Sequence, residues 1–176
     1  MTTAAPTRPQ TAPTTPAGRP PARPAPAAAL LSVSGATTVL LGLVGIGAVL
    51  HEPVLIPPLA ASAALVHSAP TLPLAQPRSV LVGHVMGMCA GYAALTLAGG
   101  SAWVAALAAG VTMALNALAR TPHSPAVATA VVIVLQAPAP TRFVPLLLGS
   151  AVLLVLTGYA ASRVRRRGPR YPVYWW

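Results

Sequence analysis

The run LLSVSGATTVLLGLVGIGAVL, Leu30 to Leu50, contains no charged side chain. As a helix rising about 1.5 Å per residue it extends about 31 Å, the depth of a bilayer's hydrocarbon core. Long apolar runs return at 79–98, 102–119 and 143–162. Among the 176 residues 55% are hydrophobic and 7% charged, against about a quarter charged in soluble domains. So few charges cannot coat a water-facing surface. The chain therefore reads as an integral membrane protein, all-α, with one bundle at 29–163 and no second folded domain.

The cationic charge is carried by arginine alone: eleven basic residues against one acid, Glu52, for a net charge of +10. A basic balance of this size can serve nucleic acid. Here most arginines lie in the two tails, where the positive-inside rule places them. The expected partner is the lipid bilayer, with no nucleic acid. Arginine without lysine, in an alanine- and proline-rich chain, is the usage of a high-GC bacterial genome. The expectation is a bacterial inner (plasma) membrane with both termini cytoplasmic.

Residues 1–28, rich in Pro, Ala, Thr and Arg, read as a disordered tail. The first apolar run is too long for a signal peptide and lacks a small-x-small cleavage site. Residues 164–176 form a basic and aromatic tail ending YPVYWW, suited to a membrane–water interface. Cys89, the sole cysteine, reads as a packing residue.

Two shorter segments lie between the long ones. VLIPPLAASAALVHS (54–68) would reach about 22 Å and PAVATAVVIVLQ (125–136) about 18 Å if fully helical. The order is long, short, long, then long, short, long. Aligning Pro58 with Pro125 sets Ser62 on Thr129 and Ala63 on Ala130, and a glycine, Gly83 or Gly149, opens the next long helix. Three segments per copy make the second copy inverted, and matching short, Pro-broken segments in such 3+3 repeats point to a transport site. The other arrangement has four spans and two re-entrant pieces. Six spans put Arg78 and Arg120 on the cytoplasmic side with only Arg142 outside; four put all three outside. The positive-inside rule favours six.

PLAQPRSVLVGH (73–84) and ARTPHSPAVATA (119–130) resemble the HPP family of small integral membrane proteins, named for a His-Pro-Pro motif. The family run Pro-Leu-Ala-Gln-Pro-Arg, followed by Gly-His, is present as Pro73 to Arg78 with Gly83 and His84. The later Arg-Thr-x-His-Pro-Pro-Ala run is present as Arg120, Thr121, His123, Pro125 and Ala126, with Ser124 in place of the first proline. The resemblance covers about 30–162 and implies four transmembrane helices and a role in transport. Plant chloroplast members are associated with nitrite transport, so it implies an anion channel or carrier.

The polar inventory agrees. Glu52, at a helix end, is the lone carboxylate, whereas cation pumps use buried acids as relays. The candidate substrate-binding residues are Ser62, Gln76, Arg78, His84, Asn116, Arg120, His123, Ser124 and Thr129, in which donors outnumber acceptor charges. In TPHSPAVAT, Thr121 or Ser124 can cap a helix and Pro125 fits its first turn, presenting a helix N-terminus to an anion. Each residue has a plainer use. His84 and His123 can brace helices, Arg78 and Arg120 can anchor the cytoplasmic edge, and Asn116 can bond between helices. His51 and Glu52 mark the membrane edge, and His67 reads as interfacial.

No Asp exists to complete a Ser-His-Asp triad, and no phosphate loop or zinc spacing appears. The chain is therefore expected not to be an enzyme, with no cofactor and no metal. The expected function is transport or channelling of a small inorganic anion, nitrite first. The alternative is a non-transporting scaffold or partner subunit. Glycine-rich faces suit a homo-oligomer under either.

Overall fold

The computed structural model describes residues 22–164 and 170–175. These form six α-helices and one 3-10 turn, with no strand among the described residues: α1 Pro26–Leu50, α2 Pro57–Ser68, the turn Pro73–Ala75, α3 Pro77–Ala98, α4 Ala102–Leu118, α5 Ser124–Gln136 and α6 Pro140–Val164. The six expected segments are all present. Of the expected tail at 1–28, residues 1–21 lie outside the described residues, and α1 begins within the rest.

Proline explains most of the helix starts. Five helices carry it in their first two positions: Pro26, Pro57 with Pro58, Pro77, Pro125 and Pro140. The first N–H groups of a helix have no carbonyl to bond, so proline's missing donor costs nothing there. α4 starts differently, on Ser101, whose hydroxyl accepts from the Val104 N–H at 3.2 Å. Left-handed residues stop the chain at His51, Gly99, Arg120 and Ala137. Only one of these is glycine, so the others hold a conformation that costs an L-residue about 1–2 kcal/mol.

Contacts fix the directions. The Arg78 guanidinium donates to Ala119 O at 3.1 Å, joining the start of α3 to the end of α4. Gly83, Gly87 and Gly91 of α3 face His123, Ala126 and Ala130 in order, so α3 and α5 run parallel. The Tyr92 hydroxyl donates to Pro138 O beyond the end of α5. Arg142, at the start of α6, pairs with Glu52 just beyond α1 at 2.6 Å. Near the other end of α6, Gly158 meets Val66 of α2. Consecutive helices therefore alternate in direction, and the N-terminal end of α1 and the C-terminal end of α6 share one end of the bundle.

α1, α3 and α6 are long and apolar enough to cross a membrane, while α4 and α5 are shorter apolar helices. α2 and α5, at 12 and 13 residues, reach only about 18–20 Å, short of a hydrocarbon core of about 30 Å. Loops complete them, and those loops are buried: Val54 and Ile56 before α2, Gln76 before α3, Thr121 and His123 before α5. Non-helical backbone at such depth is tolerated where protein covers it.

The main core cluster joins Leu43 of α1, Leu59 and Ala63 of α2, and Leu147 and Leu154 of α6. α1 buries only Val39, Leu43 and Gly47 and exposes leucines and valines along the rest of its length, a surface suited to acyl chains. Two expectations change here. Cys89 is exposed rather than packed inside. Gly149 does not match Gly83, because a Cβ on Gly149 meets open space whereas one on Gly83 runs into His123.

The α3–α5 contact makes a sharp contrast testable. A Cβ on Gly87 would collide with the Ala126 carbonyl, which is backbone and cannot swing away. Gly87→Val is expected to lose at least about 1–3 kcal/mol. Gly149→Ala, mid-helix with space around it, is expected to be neutral or stabilising by up to about 1 kcal/mol. Thermal melts of the detergent-solubilised variants check both.

Candidate functional site: a buried histidine pair

Four of the expected site residues come together where the two short helices meet α3. Ser62 is in the second turn of α2, His84 is on α3, Thr129 is in the second turn of α5, and His123 is the residue just before α5. The Ser62 Oγ lies 3.0 Å from His84 Nε2 and 2.9 Å from His123 Nε2. The two Nε2 atoms are 3.3 Å apart, with the rings edge to face. Thr129 Oγ1 lies 2.9 Å from His84 Nδ1, and His123 Nδ1 lies 2.8 Å from Leu74 O. All four side chains are buried, at 2% exposure or less.

The local sequence explains the placement. The break ARTPHSP lets His123 take an extended conformation, φ −152° and ψ 90°, before α5 starts. Its Cβ then rests against the bare backbone of Gly83, one residue before His84. A larger residue at 83 would push the rings apart. The helix start differs from expectation: His123 is the N-cap, no side chain caps α5, and Ser124 is the exposed first residue of the helix.

Donor and acceptor balance allows a neutral arrangement that uses the shortest contacts. Leu74 O can only accept, so His123 Nδ1 carries the hydrogen and its Nε2 is bare. Bonds then run in one direction. The Thr129 hydroxyl donates to His84 Nδ1, His84 Nε2–H donates to Ser62 Oγ, and the Ser62 hydroxyl donates to His123 Nε2. Every polar atom of the four side chains is satisfied, which is what so buried a network requires. Ser62 has one further acceptor in reach, Pro58 O at 2.9 Å. A second proton on His123 would make Nε2 a donor to Ser62 Oγ, and the Ser62 hydroxyl would turn to Pro58 O. The Ser62 hydroxyl thus has two acceptors within reach, Pro58 O and His123 Nε2.

The other five expected residues lie elsewhere. Gln76 is buried and stitches the chain: its amide donates to Pro70 O at 2.9 Å and Leu72 O at 3.0 Å, and its Oε1 accepts from the Val173 N–H at 2.9 Å. It thereby holds the loop whose Leu74 carbonyl takes His123. Arg78 binds the last turn of α4, a favourable place for a cation. Arg120 is exposed at φ 54°, and Ser124 is exposed. Asn116 is buried, but its amide has no partner, and neither has the buried Thr121 hydroxyl. His67, expected at an interface, is buried beside Gly35 and Thr157.

Sequence reasoning missed Tyr171. The tail turns back so that this ring, 2% exposed, packs on Val66, Val80 and Val155 and against Gly158. Ser62 and Val66 are one turn apart on α2, and Val80 and His84 one turn apart on α3. The ring therefore sits one helical turn from the histidine pair, towards the tail end of the bundle. The Ser162 hydroxyl donates to Tyr171 O at 3.0 Å and Gln76 holds Val173. Burial raises the Tyr171 phenol above its ordinary range. No periodicity marks a lone tyrosine after a basic run, so the signal was only its place in YPVYWW.

The family model for the HPP transmembrane region matches residues 21–172. The chain belongs to the HPP transmembrane family. Two transmembrane proteins of Dictyostelium discoideum are similar to it. One is 34% identical over 132 residues, covering 70% of this chain and 46% of the relative. The other is 35% identical over 126 residues, covering 66% and 40%. The match thus spans less than half the length of either curated relative. No solved structure matches. The HPP match extends past α6 to Pro172, so it takes in the folded-back tyrosine.

Two stability outcomes follow. Ser62→Ala removes the hydroxyl that bonds both rings and is expected to cost about 1–3 kcal/mol, as for a buried group left unpaired. Arg120→Gly relieves a left-handed residue and is expected to gain up to about 1 kcal/mol. Detergent melts of each variant measure both.

Proposed function

We propose that this HPP protein carries a small inorganic anion across the membrane as a transporter or channel, nitrite being the first candidate, and that the His84–Ser62–His123 centre couples passage to one proton. The observation that carries the reading is the neutral pair itself. The one carboxylate, Glu52, lies in the α1–α2 loop, so the titratable groups where the short helices meet are these two imidazoles. A proton added alone would create a buried cation, costing several kcal/mol. An anion arriving with it cancels the charge. Proton and anion therefore enter the centre more easily together than apart.

The packing favours an inverted 3+3 repeat, pairing α1 with α4, α2 with α5 and α3 with α6. Alternating directions turn the second copy upside down. α2 packs against α1 and α6, and α5 packs against α4 and α3, so each short helix sits beside its own copy's first helix and the other copy's third. Ser62 and Thr129, matched in the sequence alignment, bond the two nitrogens of the same imidazole. Arg78, Arg120 and Arg163 gather at the end shared by the tails, and Arg142 lies at the other. The positive-inside rule makes the first end cytoplasmic, in what we read from arginine usage as a bacterial inner membrane. No bond-making chemistry is assigned, and the protein is read as a non-enzyme.

The alternative is a scaffold in which the same bonds only join helices. Proteoliposome uptake separates the two. Saturable nitrite uptake, rising under an inward proton gradient, is expected, with chloride, nitrate and formate as competitors. His84→Ala and His123→Ala are each expected to lower it by at least about tenfold, the loss that about 1.4 kcal/mol of barrier brings. Uptake indifferent to the proton gradient would remove the coupling. No flux of any of these anions from folded protein would leave the scaffold.

A further inference from the structure

α4 ends in a turn that closes on itself. The Thr121 N–H donates to Asn116 O at 2.9 Å and the Arg120 N–H to Ala117 O at 3.1 Å, with Arg120 left-handed at φ 54°. These paired bonds make a Schellman ending, which sets the side chain of its first residue beside that of its last, most often as an apolar contact. Here those residues are Asn116 and Thr121. Both are buried, at 4% and 0% exposure. Neither polar atom of the Asn116 amide has a hydrogen-bond partner among the described residues, nor has the Thr121 hydroxyl. Nearly all buried polar groups in folded proteins are paired. Two neighbouring ones without partners call for a ligand that bonds both.

Arg78 decides the chemistry of that ligand. Its guanidinium reaches the same turn, donating one of its five N–H groups to Ala119 O at 3.1 Å. It is half-buried. The end of α4 contributes about half a negative charge there and the start of α3 about half a positive one, so the two nearly cancel. The chain's one acidic side chain, Glu52, is paired with Arg142 at the opposite end of the bundle. The positive charge of Arg78 is thus uncompensated by any carboxylate side chain. A water would satisfy the amide and the hydroxyl and leave that charge as it is. A small anion accepts from the Asn116 amide, the Thr121 hydroxyl and the guanidinium together, and balances the charge.

We infer that Arg78, Asn116 and Thr121 form a binding site for a small monovalent oxyanion at the end of α4. Arg78 precedes His84 on α3 by six residues, a rise of about 9 Å. The site therefore lies on the tail side of the histidine pair, separate from it. Its place as the cytoplasmic station of a transport path rests on the transport reading. The binding itself does not.

Isothermal titration of the detergent-solubilised full chain with sodium nitrite tests it, at pH 8 and with sodium gluconate holding the ionic strength constant. At that pH the histidine pair is neutral and, on the proposed coupling, takes no anion. Saturable binding is expected. Thr121→Val and Asn116→Leu are each expected to weaken it at least about tenfold, the scale of one hydrogen bond to a charged group. Arg78→Gln is expected to abolish it. In gluconate alone, Thr121→Val is expected to melt about 2–4 °C higher, since a methyl replaces an unpartnered hydroxyl of the same shape. Should Arg78→Gln fail to fold, the two neutral variants decide. No saturable binding, or nitrite affinity unchanged in Thr121→Val, would overturn the site. An accompanying fall in melting temperature would assign the two groups to a structural water instead. Binding lost in these variants, without proton-driven uptake by the unaltered chain, keeps the site and removes transport. Uptake without such binding keeps transport and removes the site.

Discussion

The imidazole of His84 bonds a hydroxyl on each of its nitrogens, one from each short helix. That double attachment organises the rest. To reach both faces of one ring, α2 and α5 must cross α3 at the same level. The α5 segment, with the residue before it, must also come close enough to α3 that a Cβ would collide at 83 and 87 and be tightly packed at 91. The second imidazole then has one place to go, the break before α5. In a bundle whose helices have little hydrophobic reason to choose one neighbour over another within lipid, such polar bonds and close small-residue contacts set the register.

The short helices and their proline-rich loops follow from the same constraint. A full-length helix at α5 would carry its N-terminus to the membrane edge and take His123 with it. Stopping α4 at Leu118 and restarting at Ser124 keeps the break inside the protein. That leaves loop backbone to be satisfied, and side chains do it. Arg78 takes a carbonyl at the end of α4, Gln76 takes two in the loop before α3, and His123 takes Leu74 O. The folded-back tail joins this set through Gln76. The tail, the loop and the histidine pair are thus linked through consecutive hydrogen bonds and a short stretch of chain.

Much of this was legible in the sequence because it is local. Apolar run lengths, prolines at helix starts and the glycine spacing gave six segments close to those observed, and aligning the short ones paired Ser62 with Thr129. His84, His123, Ser62 and Thr129 all stood out as polar residues in an apolar setting. Their convergence was not legible, because 22 to 61 residues separate the bonded pairs. Gln76 looked like a ligand residue for the same reason: its partner Val173 lies 97 residues away. The exposure of Cys89 and the openness around Gly149 depend on which face of a helix meets lipid, and a helix apolar all round does not encode that strongly.

On the inverted-repeat reading the two short helices differ in chemistry at one position, and the difference bears on the stoichiometry of the proposed coupling. On the alignment that pairs Pro58 with Pro125, His123 falls on Ile56, and each is the N-cap of its short helix. The residue before α5 therefore offers an imidazole to the centre, whereas the residue before α2 offers an isoleucine that lines a cavity beside the start of α6. With His84 already committed on both nitrogens, Ser62 is the one hydroxyl with a choice of acceptors, and that choice has two settings. On the proposed coupling the centre would take up no more than one proton, since a second cation 3.3 Å from the first would face the repulsion of like charges in a medium of low dielectric constant. One stored proton balances one monovalent anion. On the proposed coupling a divalent anion would leave the centre charged, whereas a monovalent one would leave it neutral.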